Sequence, residues 1–158
     1  MYLARKSWEQ RGSKIDTEKF IGIWKLVSYE FRLADGITLR PFGEGVRGIL
    51  IYDARGAMAL QIMEADRPRF AADDWHRGTA DEIKSAFEGS MAYWGTFEVN
   101  ATKTTITHHI EGCSYPNWVG AAREQFYEFD GDRLTLMTTP MTLAEETIVG
   151  YLIWRRKF

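Results

Sequence analysis

Most of this chain consists of runs in which apolar and polar residues alternate, joined by connections of only a few residues, and such a chain has few ways to fold. Period two sends successive side chains to opposite faces of a strand. In Ile23–Leu33, Val27, Tyr29 and Phe31 fall on one face, and Trp24, Leu26, Ser28 and Glu30 on the other. Val46–Asp53 and Ala57–Met63 flank Asp53-Ala54-Arg55-Gly56, the pattern of a type I turn with glycine in the left-handed position. Further runs over Thr96–Asn100, Thr104–Gly112, Ala121–Phe129, Arg133–Thr139 and Thr147–Lys157 follow, with Asp130-Gly131 as a hairpin signal. This gives about eight strands without β-α-β alternation, so the neighbours are antiparallel. Closing the sheet on itself removes its edges. The predicted fold is all-β, an eight-stranded antiparallel barrel with one inserted α-helix.

The helix is predicted from Thr79-Ala80-Asp81-Glu82, a capping box, followed by Ile83, Phe87, Met91 and Trp94 at helical spacing up to Gly95. Residues 64–78 show no period and read as a long loop, with Trp75 and His76 as a candidate lid. Residues 1–16 read as a loosely held arm and 17–158 as the barrel domain. The 158 residues suffice for one domain. With 20 Lys+Arg against 22 Asp+Glu, the chain lacks the basic excess that nucleic acid or an anionic membrane surface requires. One cysteine, Cys113, rules out an internal disulfide framework and a Cys-rich zinc site. No run approaches the roughly 20 apolar residues of a membrane span, and no secretory signal opens the chain. A cytoplasmic protein is expected. Gly43-Glu44-Gly45 lacks the second half of a dinucleotide fingerprint, and no residue set specifies haem or a metal, so no cofactor is expected. Aromatic residues make up 14% of the chain, a composition that favours strands and large buried side chains.

Several segments resemble a known family. Gly22-Ile23-Trp24 opens the first long strand as G-x-W opens a lipocalin barrel, and the last strand ends Trp154-Arg155-Arg156. Arg40-Pro41-Phe42-Gly43, Gly48-Ile49-Leu50-Ile51-Tyr52-Asp53, and Thr107-His108-His109-Ile110-Glu111 running into Pro116-Asn117-Trp118-Val119-Gly120 look like the bacterial and fungal lipocalin-like domain family. The resemblance spans about Thr17 to Arg155. It implies a barrel with a small-molecule cavity, and an arginine stacked over the first tryptophan at the closed end. It also suggests polyketide-like or other secondary metabolites as ligands. It implies no reaction.

The candidate site residues follow from strand parity. His108 and His109 are adjacent on one strand and point to opposite faces. If Ile106, His108 and Ile110 face inward, the Thr105/Thr107/His109/Glu111 face is a solvated exterior, with His108 either core filler or a functional histidine alone in an apolar cavity. If the other face is inward, His109 and Glu111 form an acid–base pair inside the cavity. Asn117 and Trp118 follow a ladder-breaking Pro116 and could give a ligand one amide and one aromatic wall. Arg123, Gln125 and Tyr127 alternate on the next strand and suit either a polar, anion-tolerant cavity wall or a solvated outer face. Met58, Leu60 and Ile62, or else Gln61 and Met63, line the same space from the hairpin. Two functions remain open: a barrel binding a small hydrophobic or aromatic molecule, or a cofactor-independent cyclase, isomerase or hydratase using His109, Glu111 or His108.

Overall fold

The computed structural model describes residues 16–158, so the arm expected over residues 1–16 lies, but for Asp16, outside the described residues. A helical segment over 16–20 leads into β1 (Gly22–Leu33), β2 (Thr38–Leu39), β3 (Arg47–Tyr52) and β4 (Ala57–Met63). The helix Ala80–Glu88 follows, then β5 (Ser90–Asn100), β6 (Thr105–Cys113), β7 (Ala122–Asp130), β8 (Arg133–Thr138), β9 (Met141–Leu143) and β10 (Glu146–Arg156). Every pairing is antiparallel, and the sheet order β1-β3-β4-β5-β6-β7-β8-β10 is closed by a β1–β10 pairing. Short β2 and β9 are added beside β1 and β10. The result is the expected eight-stranded closed barrel.

The hairpins form where the turn chemistry asked for them. Gly56 adopts φ +93°, and its N–H donates to the Asp53 carbonyl at 3.0 Å. Gly131 adopts φ +58° between β7 and β8. Both values are left-handed and cost glycine nothing.

Two bulges change which residues face inward. In β1 the register to β10 shifts between Leu26 and Ser28, which leaves Val27 as an extra residue. The inward set therefore runs Trp24, Leu26, then Tyr29, all buried, with Phe31 next, and Val27 is exposed. Strict alternation had split these residues between two faces. In β6 the shift against β5 falls between Trp94 and Gly95, and Glu111 is the extra residue.

The helix begins as predicted and ends earlier. Thr79 Oγ1 accepts from the Glu82 N–H at 3.2 Å, and a Glu82 carboxylate oxygen accepts from the Thr79 N–H at 2.8 Å. The helix stops at Glu88, capped by Gly89, where the spacing had carried it to Gly95. Ser90 through Thr96 instead pair with Met63 back to Ala57. Met91 and Tyr93 thereby turn into the barrel, while Ile83 and Phe87 stay exposed on the helix. Seven strand pairings outweigh one and a half further turns of helix.

The core gathers at the end of the barrel where β1 begins. Phe20, Trp24, Leu50, Leu134 and Trp154 are wholly buried there, with Tyr52 nearly so. Arg156 lies over the Trp24 ring at 4.2 Å and donates to the carbonyls of Ile21 and Lys19, which seals that end. The stacked arginine that the resemblance implied is present.

Candidate functional site

The aromatic plug at the closed end leaves the space in the barrel at its other end. A cavity of about 230 Å³ opens there, small beside the roughly 300–1,000 Å³ typical of ligand sites. Tyr29 and Phe31 enter it from β1, Leu60 and Ile62 from β4, and Met91 and Tyr93 from β5. Trp118, from the short 3-10 turn Pro116–Trp118, forms a side wall with Arg123 and Gln125 of β7. Thr138, Met141, Leu143 and Ile148 close the rim. The lining is mainly aromatic and aliphatic, with a few polar groups, as small-molecule sites require.

Below the cavity sits a buried polar cluster built on His108, which is wholly buried. The Tyr52 hydroxyl lies 2.7 Å from its Nε2 and the Tyr93 hydroxyl 2.8 Å from its Nδ1. The Gln125 amide nitrogen is 3.2 Å from Nδ1. An amide nitrogen only donates, so Nδ1 is the acceptor and the imidazole proton resides on Nε2, facing the Tyr52 oxygen. Burial lowers the His108 pKa to about 3, and the charges of Arg123 and His109 push it the same way. His108 is thus neutral around pH 7. Burial raises the phenols too: Tyr29 is pushed up to about 12, and Tyr52 and Tyr93 lie well above the ordinary tyrosine value.

Arg123 has a different setting. Its guanidinium carbon is 3.9 Å from the centroid of the Trp118 ring, and Nη2 is 3.4 Å from the Met141 sulfur. A cation–π contact and a weak thioether acceptor leave most of its five donors open. Its positive field lowers the proton affinity of Tyr29, Tyr93 and His108 alike.

The structure sorts the residues singled out in the sequence. Leu60, Trp118 and Arg123 meet at the cavity, joined by Gln125. His108 faces inward as one reading held, though it is paired on both ring nitrogens rather than alone. His109 and Glu111 do not enter the cavity. His109 is 47% exposed and 3.6 Å from Glu98 on the outer face, and Glu111 is exposed at the β6 bulge. Strand parity puts both opposite to the inward Ile106, His108 and Ile110. Gln61 also points outward, as the neighbour of inward Leu60 and Ile62. Asn117 is exposed and donates to the Tyr115 hydroxyl at 3.0 Å rather than to the cavity.

Met58 and Tyr127 do face inward, but at the wrong level. Met58 is buried beside Tyr52 in the lower half of the barrel, one inward step below Leu60. Tyr127 packs edge-on against Phe20 at 4.9 Å in the closed-end plug. Trp75 is 91% exposed and does not cover the mouth. The sequence reading missed Tyr93 and Met91 because the helix was extended across them. Their alternation with Gly95, Phe97 and Val99 was the available signal. No group of three or more His, Cys, Asp or Glu side chains among the described residues could hold a metal ion. Nor is any helix among them long and apolar enough to cross a membrane.

The 4'-hydroxy-3'-methoxypropiophenone carrier protein ppsC of Aspergillus oryzae (strain ATCC 42149 / RIB 40) is 32% identical over 107 residues, 63% of this chain and 96% of that protein. Among solved structures, a lipocalin-like protein from Bacteroides uniformis ATCC 8492 matches 87% of this chain and 97% of its own at 13% identity, with a TM-score of 0.45. The family model of the lipocalin-like domain matches residues 21–157. With that match across nearly the whole barrel, the chain belongs to the lipocalin-like domain family.

Proposed function

We propose that this protein binds a small aromatic molecule with a polar handle, and that an aryl ketone of the propiophenone class is its ligand type. The observation that carries the reading is the cavity: about 230 Å³, walled by Phe31, Met91 and Trp118, with Tyr93, Gln125 and Arg123 set together on one side. An apolar slot takes a ring, and the open N–H donors of Arg123, with the second N–H of the Gln125 amide, take a ketone or phenol oxygen. The relative named as a carrier of 4'-hydroxy-3'-methoxypropiophenone supports the same ligand size and chemistry.

Carriage fits the polar groups better than catalysis does. Proton transfer at neutral pH calls for a base poised near pH 7, whereas His108 is buried, doubly paired and lowered to about 3. The acid–base pair considered from the sequence, His109 with Glu111, stands outside the barrel. Calorimetric titration with 4-hydroxypropiophenone is the test. We expect a dissociation constant on the order of micromolar, weakened about tenfold or more by Ile62→Trp, which fills the cavity. An undiminished affinity in a folded Ile62→Trp protein would put the ligand elsewhere.

A further inference from the structure

Arg123 is the one charged side chain lining the cavity among the described residues. No carboxylate there lies within ion-pair distance of it. Glu124, its neighbour in the chain, is exposed and accepts from the Thr105 hydroxyl at 3.2 Å. The guanidinium is half-buried, backed by an indole face and a thioether, so its charge is only softly compensated. A guanidinium in that position binds an anionic oxygen strongly, through short charge-assisted hydrogen bonds.

The groups around Arg123 supply no such anion. Tyr29 from β1 and Tyr93 from β5 face it as neutral phenols, and His108 from β6 as a neutral imidazole. Cys113 lies beside Tyr93, and His109 is on the outer side of β6. Thr138, Met141 and Trp118 bring no charge from β8, β9 and the 3-10 turn. An anion that pairs with this guanidinium inside the cavity therefore comes with the ligand. A carboxylate holds its charge on two oxygens and is expensive to bring into an apolar slot. The anion of a phenol that carries a para acyl group spreads its charge through the ring to the ketone oxygen, and it matches a cavity of aromatic walls with one cation.

We propose that Arg123 is the anion-holding residue of the cavity, and that the ligand is bound as the phenolate of a 4-acylphenol with its oxygen against this guanidinium. The inference rests on the aryl-ketone reading above and adds the ionisation state and the residue that selects it.

The test compares 4-hydroxypropiophenone with its methyl ether, 4-methoxypropiophenone, by calorimetry between pH 6 and pH 9. The absorption of the bound phenol is followed in parallel, since the phenolate absorbs at longer wavelength. The hydroxy ketone should bind about tenfold more tightly at pH 9 than at pH 6, the effect of lowering its bound pKa by one unit. Its phenolate band should appear at lower pH than in buffer. The ether should show no pH dependence, which controls for any protein group that titrates in that range. Arg123→Gln should flatten the dependence for the hydroxy ketone, and Arg123→Lys should restore it. If phenol and ether respond to pH alike, or Arg123→Gln keeps the full response, the phenolate proposal falls while the binding reading stands. If neither ketone binds at any pH, both fall together. The comparison of the two ketones needs no variant, so it decides the matter even if Arg123→Gln does not fold.

Discussion

The Tyr93 hydroxyl lies 2.8 Å from Nδ1 of His108, and that contact joins the wall of the cavity to an imidazole that no solvent reaches. Tyr93 lines the cavity, whereas His108 lies behind it, held by Tyr52 on its other nitrogen. The histidine thus fixes a polar group that a ligand can touch without being exposed itself. A buried pair of this kind holds one geometry because leaving either partner unpaired costs roughly 1–3 kcal/mol.

His108 should make the protein acid-sensitive. Its folded pKa of about 3 lies below the ordinary value of 6.5, so below pH 6.5 the unfolded chain takes up a proton that the folded chain refuses. The associated stability is complete above pH 6.5 and is lost as pH falls toward 3, by up to about 1.4 kcal/mol per pH unit. Urea unfolding of wild type and His108→Gln at pH 7, 5.5 and 4.5 reads this directly. The wild type should lose its advantage over the variant as pH falls. A constant gap would mean that His108 is not held neutral.

Gly95 should tolerate no side chain. A Cβ there would fall on the carbonyl oxygen of His109, where β5 and β6 close on each other at the Glu111 bulge. The obstacle is backbone, so relief requires the two strands to part. Gly95→Ala is expected to cost about 3 kcal/mol, toward the upper end of overpacking effects, measured by thermal or urea unfolding. A loss under 1 kcal/mol would show that the bulge yields easily.

The outward histidine should be dispensable for binding. His109→Ala and Glu111→Ala alter an exposed contact with Glu98 and an exposed bulge, and such surface changes stay within about 0.5 kcal/mol. Affinity for 4-hydroxypropiophenone should therefore change by about twofold at most. A large loss in either variant would return these residues to the site.

Arg156 should matter for stability and not for the cavity. It caps Trp24 and ties Ile21 and Lys19 to the last strand, at the end of the barrel away from Arg123 and Met91. Arg156→Ala should lower stability by about 2 kcal/mol, the scale of hydrogen bonds from a charged donor. Ligand affinity, measured by the same calorimetry well below the unfolding transition, should be retained.

The barrel was legible because alternation and turn residues act locally. Asp53-Ala54-Arg55-Gly56 and Asp130-Gly131 specify their hairpins whatever surrounds them. The site was less legible because it depends on phase. One extra residue at Val27 moves Tyr29 and Phe31 to the inner face, and nothing in the local sequence marks that bulge. The segment Met91–Trp94 fits both a helical and a two-residue period, and pairing with β4 decides between them. That choice hid Tyr93, and with it the partner that gives His108 its place. Arg123 and Trp118 were identifiable as candidates, but it is the path of the short connection from the 3-10 turn into β7 that stacks one on the other.

The central claim, that an aryl ketone occupies the open-end cavity, is tested most directly by nuclear Overhauser contacts between bound 4-hydroxypropiophenone and the methionine methyl groups. Met91 and Met141 line the cavity, Met58 is buried below it, and Met63 points to the outer face. The account predicts ligand contacts to the methyls of Met91 and Met141 and none to Met58 or Met63. Contacts confined to Met63, or none to any methionine at saturating ligand, would contradict it.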